Sequence, residues 1–332
     1  MKAVLCKAFG PPASLVVEDL PSPTPEAGQV VVSVHAASVN FPDLLVIQDK
    51  YQFKPSLPFS PGGEVSGIVT SVGAGVTSLA VGDRVVAWAP YGCFAEEVAL
   101  GEGQVIQVPD GIDHVTASTL LVAYGTTHHA LVDRAALRAG ETLVVLGAAG
   151  GVGISAIEIG KVLGARVIAC ASSDDKLEVC RARGADEVVN YSREDLKARL
   201  KALAPNGVDV VYDPVGGAFA EPALRAMAWR GRYLVIGFAA GDIPKIPLNL
   251  TLLKGCSIVG VFWGSFTMRE PERYREGLAE LFGWVREGRI QPHVEQTYPL
   301  EQASSALSAM AERRVKGKVV LVTAREAAAS AR

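Results

Sequence analysis

The chain has 332 residues, 49% of them apolar and 20% charged, with 34 glycines and a formal net charge of −3. That is long enough for two domains with a substantial core, and the composition is that of an α/β protein rather than a disordered chain. The small negative balance gives no electrostatic case for nucleic acid or an anionic membrane surface as partner. No apolar run reaches the roughly 18 residues of a membrane span, and the opening MKAVLCKAFGPP lacks the apolar core of a signal peptide. The five cysteines (Cys6, Cys93, Cys170, Cys180, Cys256) stand singly, without CxxC spacing. Such usage fits reduced thiols and a cytoplasmic protein.

The first 120 or so residues read as β-rich. Val30 to Ala36, Ser66 to Gly73, the segment after Val81-Gly82-Asp83, and Ala95 to Ala99 are strand candidates. Their Gly and Pro punctuation predicts a small barrel or sandwich rather than βαβ units. Between them lies a loop-rich stretch holding Asn40 to Asp43, Tyr51 to Pro55 and Pro58 to Glu64. His128 and His129 fall at the start of a helix-like segment; adjacent histidines cannot share a helix face, which predicts packing rather than catalysis.

Leu143 to Gly164 organises the rest. Leu143-Val144-Val145-Leu146 is a buried-strand run, Gly147-Ala148-Ala149-Gly150-Gly151-Val152-Gly153 a glycine turn, and Ile154, Ile157, Val162 and Leu163 mark a helix. Strand, glycine turn and helix in that order predict dinucleotide binding, with small residues letting backbone N–H groups approach a pyrophosphate at the helix N-terminus. A second strand, Arg166 to Ala171, ends in Ser172-Ser173-Asp174-Asp175-Lys176. An acidic residue at that tip would accept from the ribose 2′-hydroxyl of NAD; here the tip is Ala171-Ser172. Lys176 can be read as a phosphate ligand or as a helix-face lysine, and Asp174 and Asp175 as N-cap residues.

Further βα alternation follows. A helix from Asp175 to Arg183, a strand Asp186 to Asn190, a helix Glu194 to Ala204 and a strand Val208 to Tyr212 lead to Asp213-Pro214-Val215-Gly216-Gly217. A helix Ala220 to Ala228, a strand Arg232 to Gly237 and a strand Ser257 to Val261 complete a doubly wound sheet. The tail is read as a helix Glu272 to Glu287, a strand Val294 to Tyr298, a helix Leu300 to Ala311, a strand Lys318 to Thr323 and a disordered REAAASAR end.

SVNFPDLLVIQDKYQ, PFSPGGEVSGIV, VGDRVVA, FAEEV, YGTTHHAL, GAAGGVG, GADEVVNY, VVYDPVGG and GKVVLV occur in this order across almost the whole chain. Together they resemble the medium-chain dehydrogenase/reductases, specifically the zinc-independent, zeta-crystallin-like quinone oxidoreductase branch. The resemblance implies a Rossmann nucleotide-binding domain over residues 123–263. It implies a β-rich GroES-like catalytic domain from residues 1–122 and 264–332. It implies NADPH, with Ala149, Gly150, Gly151 and Val152 at the pyrophosphate and Ser172, Lys176 and Tyr191 around the 2′-phosphate. Val215, Phe238, Ala239, Phe262 and Trp263 would lie along the nicotinamide side, Thr126 would orient the carboxamide, and Asn40 would stand beside the ring. Tyr51 would wall the acceptor pocket, whereas Leu45 replaces another tyrosine of the branch.

The alcohol dehydrogenase branch has a zinc-ligating cysteine in the Asn40 region and a His-Glu pair at Gly63-Glu64, and its four-cysteine lobe is reduced here to Cys93. The donor set for zinc is missing. The expected activity is metal-free hydride transfer from NADPH to a quinone or other conjugated carbonyl, in a homodimer paired through the strand Ser257 to Val261. An enoyl-CoA or acryloyl-CoA reductase, and an NADPH-binding protein with little turnover like a lens crystallin, are the alternatives.

Overall fold

In the computed structural model, which describes residues 1–326, the chain divides into two units. The first comprises Met1–Val122 and the residues from Val294 on; the second is Ala123–His293. The segment 264–293, expected with the first domain, groups with the second. Its helices, given below, bury Trp263, Phe266, Leu278, Leu281 and Phe282 there.

The first unit starts with β1 (Lys2–Leu5) and β2 (Val16–Asp19), an antiparallel pair that the sequence pattern does not reveal. Then come β3 (Gln29–Val39), α1 (Phe41–Val46), β4 (Glu64–Val72), β5 (Arg84–Trp88), β6 (Glu97–Gly101), β7 (Val105–Gln107) and the short α2 (His114–Ala117). β3 is longer than predicted because one half pairs with β6 and the other with β15 below, while β4 runs along its opposite side. Ten of its eleven residues are buried.

The second unit opens with α3 (Gly125–His128). β8 (Thr142–Leu146), α4 (Gly151–Val162), β9 (Arg166–Ala171), α5 (Asp174–Ala182), β10 (Glu187–Asn190) and α6 (Leu196–Leu203) follow. Next are β11 (Val208–Asp213), α7 (Ala220–Arg225), β12 (Met227–Val235), α8 (Asn249–Lys254), β13 (Ser257–Gly260), α9 (Trp263–Arg269) and α10 (Pro271–Arg286). Its sheet is parallel throughout, in the order β10-β9-β8-β11-β12-β13. The central strands are continuous apolar runs because both faces are covered: Leu143 to Leu146 are fully buried. α10 carries Pro271 at its first position, Glu272 in its first turn and Arg286 in its last, each matched to a helix end.

The predicted helix Ala220 to Ala228 stops at Arg225, and β12 begins five residues before the predicted Arg232. Pairing of Met227 with Val208 overrides the local alanine content. α1, which replaces part of the stretch read as loop, and β7, α2, α8 and α9 are likewise absent from the sequence reading.

Back in the first unit, β14 (Val294–Pro299), α11 (Ala303–Ala311) and β15 (Lys318–Val322) end the fold, with β14-β15-β3-β4-β5-β7 as the strand order and β6 attached to β3. The sequence expectation of a disordered end fails for its first two residues. Arg325 pairs with Glu97 at 2.9 Å and Glu326 with His35 at 3.0 Å. Residues 327–332 lie outside the described residues. Among the described residues no helix is long and apolar enough to cross a membrane.

Candidate functional site

The second unit carries the glycine turn between β8 and α4. Gly147 adopts φ +57°, and a Cβ there would come within 2.7 Å of Val215. A Cβ on Gly153 would sit 2.5 Å from the Gly147 carbonyl. The turn thus closes only with glycine at both positions. Gly150 is the N-cap of α4, and its carbonyl accepts from Ile154 N at 2.8 Å. Gly150, Gly151 and Val152 are half-buried, and Ala149 is buried beneath them. First-turn N–H groups of a helix have no acceptor within it, and together with the helix dipole they form an anion cradle.

At the tip of β9, Lys176 Nζ lies 3.5 Å from Ser172 Oγ. The N-cap of α5 is Ser173, with Asp174 and Asp175 in its first turn rather than at the cap. Asp174 accepts from Arg193 at 2.8 Å and from Asn190 at 3.0 Å, and Asp175 accepts from Ser173 Oγ. The two carboxylates that would oppose a phosphate are therefore both engaged, and Arg193, unnoticed in the sequence, adds a second cation. Tyr191 packs against Phe219 with ring centroids 4.3 Å apart and the planes tilted by 38°, while its N–H donates to the Ala171 carbonyl.

The loop after β11 is fixed by Asp213, whose Oδ1 accepts from Val215 N and Gly216 N, both at 2.8 Å, and whose Oδ2 accepts from Tyr233. Ala239 N donates to the Pro214 carbonyl at 3.0 Å, leaving Phe238 exposed. Phe262 is exposed as well. Trp263 is buried instead, edge-on to Tyr274 at 5.7 Å, and its indole fills the space that a Cβ on Gly125 would need. Thr126 is half-buried on α3. Next to it Thr127 is fully buried, 2.6 Å from Ser155 and 2.8 Å from Tyr212. His128 faces Glu280 at 2.9 Å, and His129 stacks on Phe266 at 3.8 Å while holding Asp133 at 2.9 Å. Both histidines pack, as the sequence led us to expect.

The first unit holds a cluster that the sequence reading missed. Glu64, at the start of β4, is fully buried. Its Oε1 accepts from Leu121 N at 2.7 Å and Val122 N at 3.0 Å; its Oε2 accepts from Asn40 Nδ2 at 3.0 Å and lies 3.7 Å from Lys318 Nζ. Lys318, first residue of β15, donates to Asn40 Oδ1 and, at 3.3 Å, to the Val39 carbonyl. Asp43 closes the group, accepting from Asn40 N at 2.7 Å. Two acids and one cation therefore share a dry interior. Burial raises the Asp43 carboxyl to about 7, so near neutrality it keeps its proton much of the time and the cluster approaches one balanced ion pair. Burial also pushes Glu64 up and Lys318 down, each opposed by the charge of the other.

Asn40 thus has both side-chain groups engaged within the first unit. Tyr51 is half-buried, 5.8 Å from Phe53, and burial with the nearby Asp43 charge raises its phenol pKa. The available signal for the cluster was a charged residue inside each of two apolar strand patterns, PGGEVSGIV and GKVVLV. Only tertiary structure pairs them.

Comparison with known proteins agrees with this architecture. The zinc-binding dehydrogenase family matches residues 151–283, and the alcohol dehydrogenase GroES-like domain matches residues 26–110. Quinone oxidoreductase-like protein 2 of Bos taurus is 38% identical, over 96% of this chain and 92% of its own. A quinone oxidoreductase of Pseudomonas aeruginosa is 34% identical over 97% of this chain and 99% of its own. The crystal structure of Escherichia coli quinone oxidoreductase complexed with NADPH superposes with a TM-score of 0.91 at 28% identity, covering 97% of this chain and 100% of that one.

Two outcomes follow for the buried cluster. Lys318→Met strands Glu64 without its cation and should lower stability by about 3–5 kcal/mol in urea unfolding. Asp43 binds its proton more tightly folded than unfolded, so its contribution to stability falls as pH rises from about 4 toward 7. The melting temperature of Asp43→Asn relative to wild type should therefore be more favourable at pH 8 than at pH 5, and calorimetry at the two pH values checks the sign.

Proposed function

Because the chain belongs to the medium-chain dehydrogenase/reductase family, we propose that it is an NADPH-dependent reductase of quinones and other conjugated carbonyls that works without a metal. The observation that carries the reading is the tip of β9, where Ser172 and Lys176 stand together and the flanking carboxylates are engaged. A 2′-phosphate gains charge-assisted hydrogen bonds there. Tyr191 and Arg193 flank the same tip.

The glycine turn fits the cofactor's pyrophosphate, since Gly147 and Gly153 admit no Cβ and the first turn of α4 offers its N–H groups. Ala149, Gly150, Gly151 and Val152 would hold it. Val215, Phe238, Ala239, Phe262 and Thr126 are assigned to the nicotinamide end, with Trp263 contributing backbone groups because its ring is buried elsewhere. When bound, NADPH supplies a hydride from C4 of its nicotinamide.

Substrate activation then falls to hydrogen bonds at the carbonyl oxygen, where negative charge develops. Tyr51 is assigned this role: its raised pKa keeps the phenol protonated and able to donate. Asn40 acts by holding Glu64 and Lys318 in place. A metal does not suit this donor set, because Glu64 already accepts three N–H groups and faces an ammonium, and an amide and a lysine replace anionic ligands. A thioester substrate of the CoA type is less well served. Lys54 is paired with Asp49 at 2.9 Å, and Lys50 donates to Gln48 at 2.9 Å.

We also assign a cytoplasmic setting, in keeping with free cysteines of which four are buried. The homodimer is assigned to β13, which ends the parallel sheet with its outer side unpaired among the described strands. Ile258 on that strand is 40% exposed, and Trp229, Leu252 and Leu253 are 72%, 80% and 71% exposed. An apolar patch of this kind marks an interface.

Steady-state NADPH oxidation with 1,4-naphthoquinone against acryloyl-CoA tests the substrate class; preference for the thioester would overturn it, and failure with every acceptor would favour a binding role. Lys176→Ala should raise the KM for NADPH by about tenfold or more while moving that for NADH little. Introducing Ile258→Asp with Leu252→Asp should halve the mass seen by analytical ultracentrifugation.

A further inference from the structure

A second group of metal-ligating side chains lies in the first unit, away from the Asn40 end of β3. His35 on β3, His114 at the start of α2 and Glu326 in the turn after β15 place one ligand atom each within 4.8 Å of one another. His35 lies within β3, five positions before Asn40, and shares none of the hydrogen-bond partners of the Glu64 cluster. We propose that His35, His114 and Glu326 bind one divalent transition-metal ion, with zinc the best match, and that the ion ties the C-terminal turn to β3 and α2.

Three features of the geometry carry this. His35 Nδ1 and Glu326 Oε2 are 3.0 Å apart, close to the roughly 3.3 Å between two ligands on a tetrahedral zinc with bonds of about 2.0–2.1 Å. An ion can take the place of the hydrogen between these two groups, His35 then carrying its ring hydrogen on Nε2 and offering the Nδ1 lone pair.

Second, the ligating nitrogen of His114 is set by its neighbour. Ser66 Oγ donates to the Val85 carbonyl at 3.0 Å, so toward His114 Nδ1, 2.8 Å away, it can only accept. Nδ1 therefore carries the hydrogen and Nε2 the lone pair, the arrangement by which a hydrogen-bonded second nitrogen orients a ligating imidazole.

Third, the carboxylate is preorganised. Thr323 N donates to the His35 carbonyl at 3.1 Å, Thr323 Oγ1 to the Val34 carbonyl at 2.7 Å, and Glu326 N to the Thr323 carbonyl at 3.1 Å. Arg325 is clamped by Glu97 at 2.9 Å and by Ser33. The side chains of His35 and Glu326 each keep 11% of their surface in solvent, which leaves an entry path. The two imidazole rings lie 4.4 Å apart between centroids, so modest side-chain rotation brings the set to bonding distance. The ion is structural, and the hydride-transfer reading does not depend on it.

The test uses the full-length protein stripped with a chelator and titrated with cobalt(II), then zinc. Expected are one ion per chain, visible d–d absorption of a low-coordinate nitrogen/oxygen site displaced by zinc, and a higher melting temperature with zinc. Glu326→Gln, which retains a hydrogen-bond partner for His35, and His114→Gln should each weaken binding about 100-fold or more; circular dichroism and NADPH oxidation without metal establish that they remain folded. Absence of cobalt absorption, binding by both variants as tight as by the wild type, or loss of binding in Cys256→Ser alone would overturn the assignment.

Discussion

The carboxylate of Glu64 is the interaction on which the first unit depends. It is fully buried on β4 and accepts from the backbone at Leu121 and Val122, from Asn40 beyond the end of β3, and faces Lys318 on β15. Four stretches far apart in sequence meet at one charged group. A charge in a dry interior is tolerated only when it is paired and its hydrogen bonds are filled, so each segment is held to a narrow range of positions. Apolar packing alone would allow these strands to slide; a carboxylate with assigned partners does not. The partly protonated Asp43 limits how much net charge this arrangement buries.

The second unit is organised by a backbone constraint instead. Its glycines let a β-strand turn into a helix so tightly that the helix N-terminus opens at the carboxyl end of the sheet, where such folds take ligands. Around that opening, Asp213 fixes one loop through two backbone N–H groups, and the carboxylates at the β9 tip are engaged beside Ser172 and Lys176. Backbone shape decides that an anion fits, and side chains decide which one. The first unit inverts the division, since its buried charges set the backbone.

The parallel sheet, the glycine cradle and the order of the βα units were legible in the sequence, because each rests on local periodicity and on residues adjacent in the chain. The absence of an acidic residue at the very tip of β9 was legible as well, since strand and loop are contiguous; the local pattern left Lys176 open between a phosphate ligand and a helix-face lysine. Length of β3, the early start of β12 and the placement of 264–293 were not. Each depends on a partner far away: β15 for β3, Val208 for Met227, and the buried helix faces of Trp263 to Phe282.

The sequence by itself therefore determined the nucleotide fold and the residue types at its cradle, because short-range patterns encode them. Only the tertiary structure decided what Asn40 does, bringing Glu64 and Lys318, 254 positions apart by their numbers, to the two ends of its amide. It likewise turned Asp174 and Asp175 from opponents of a phosphate into engaged groups, and joined His35 to Glu326. The physical reason is the same in each case. A residue's charge and hydrogen-bonding capacity are written in the sequence, but what satisfies them is fixed by which distant segments share the space around it.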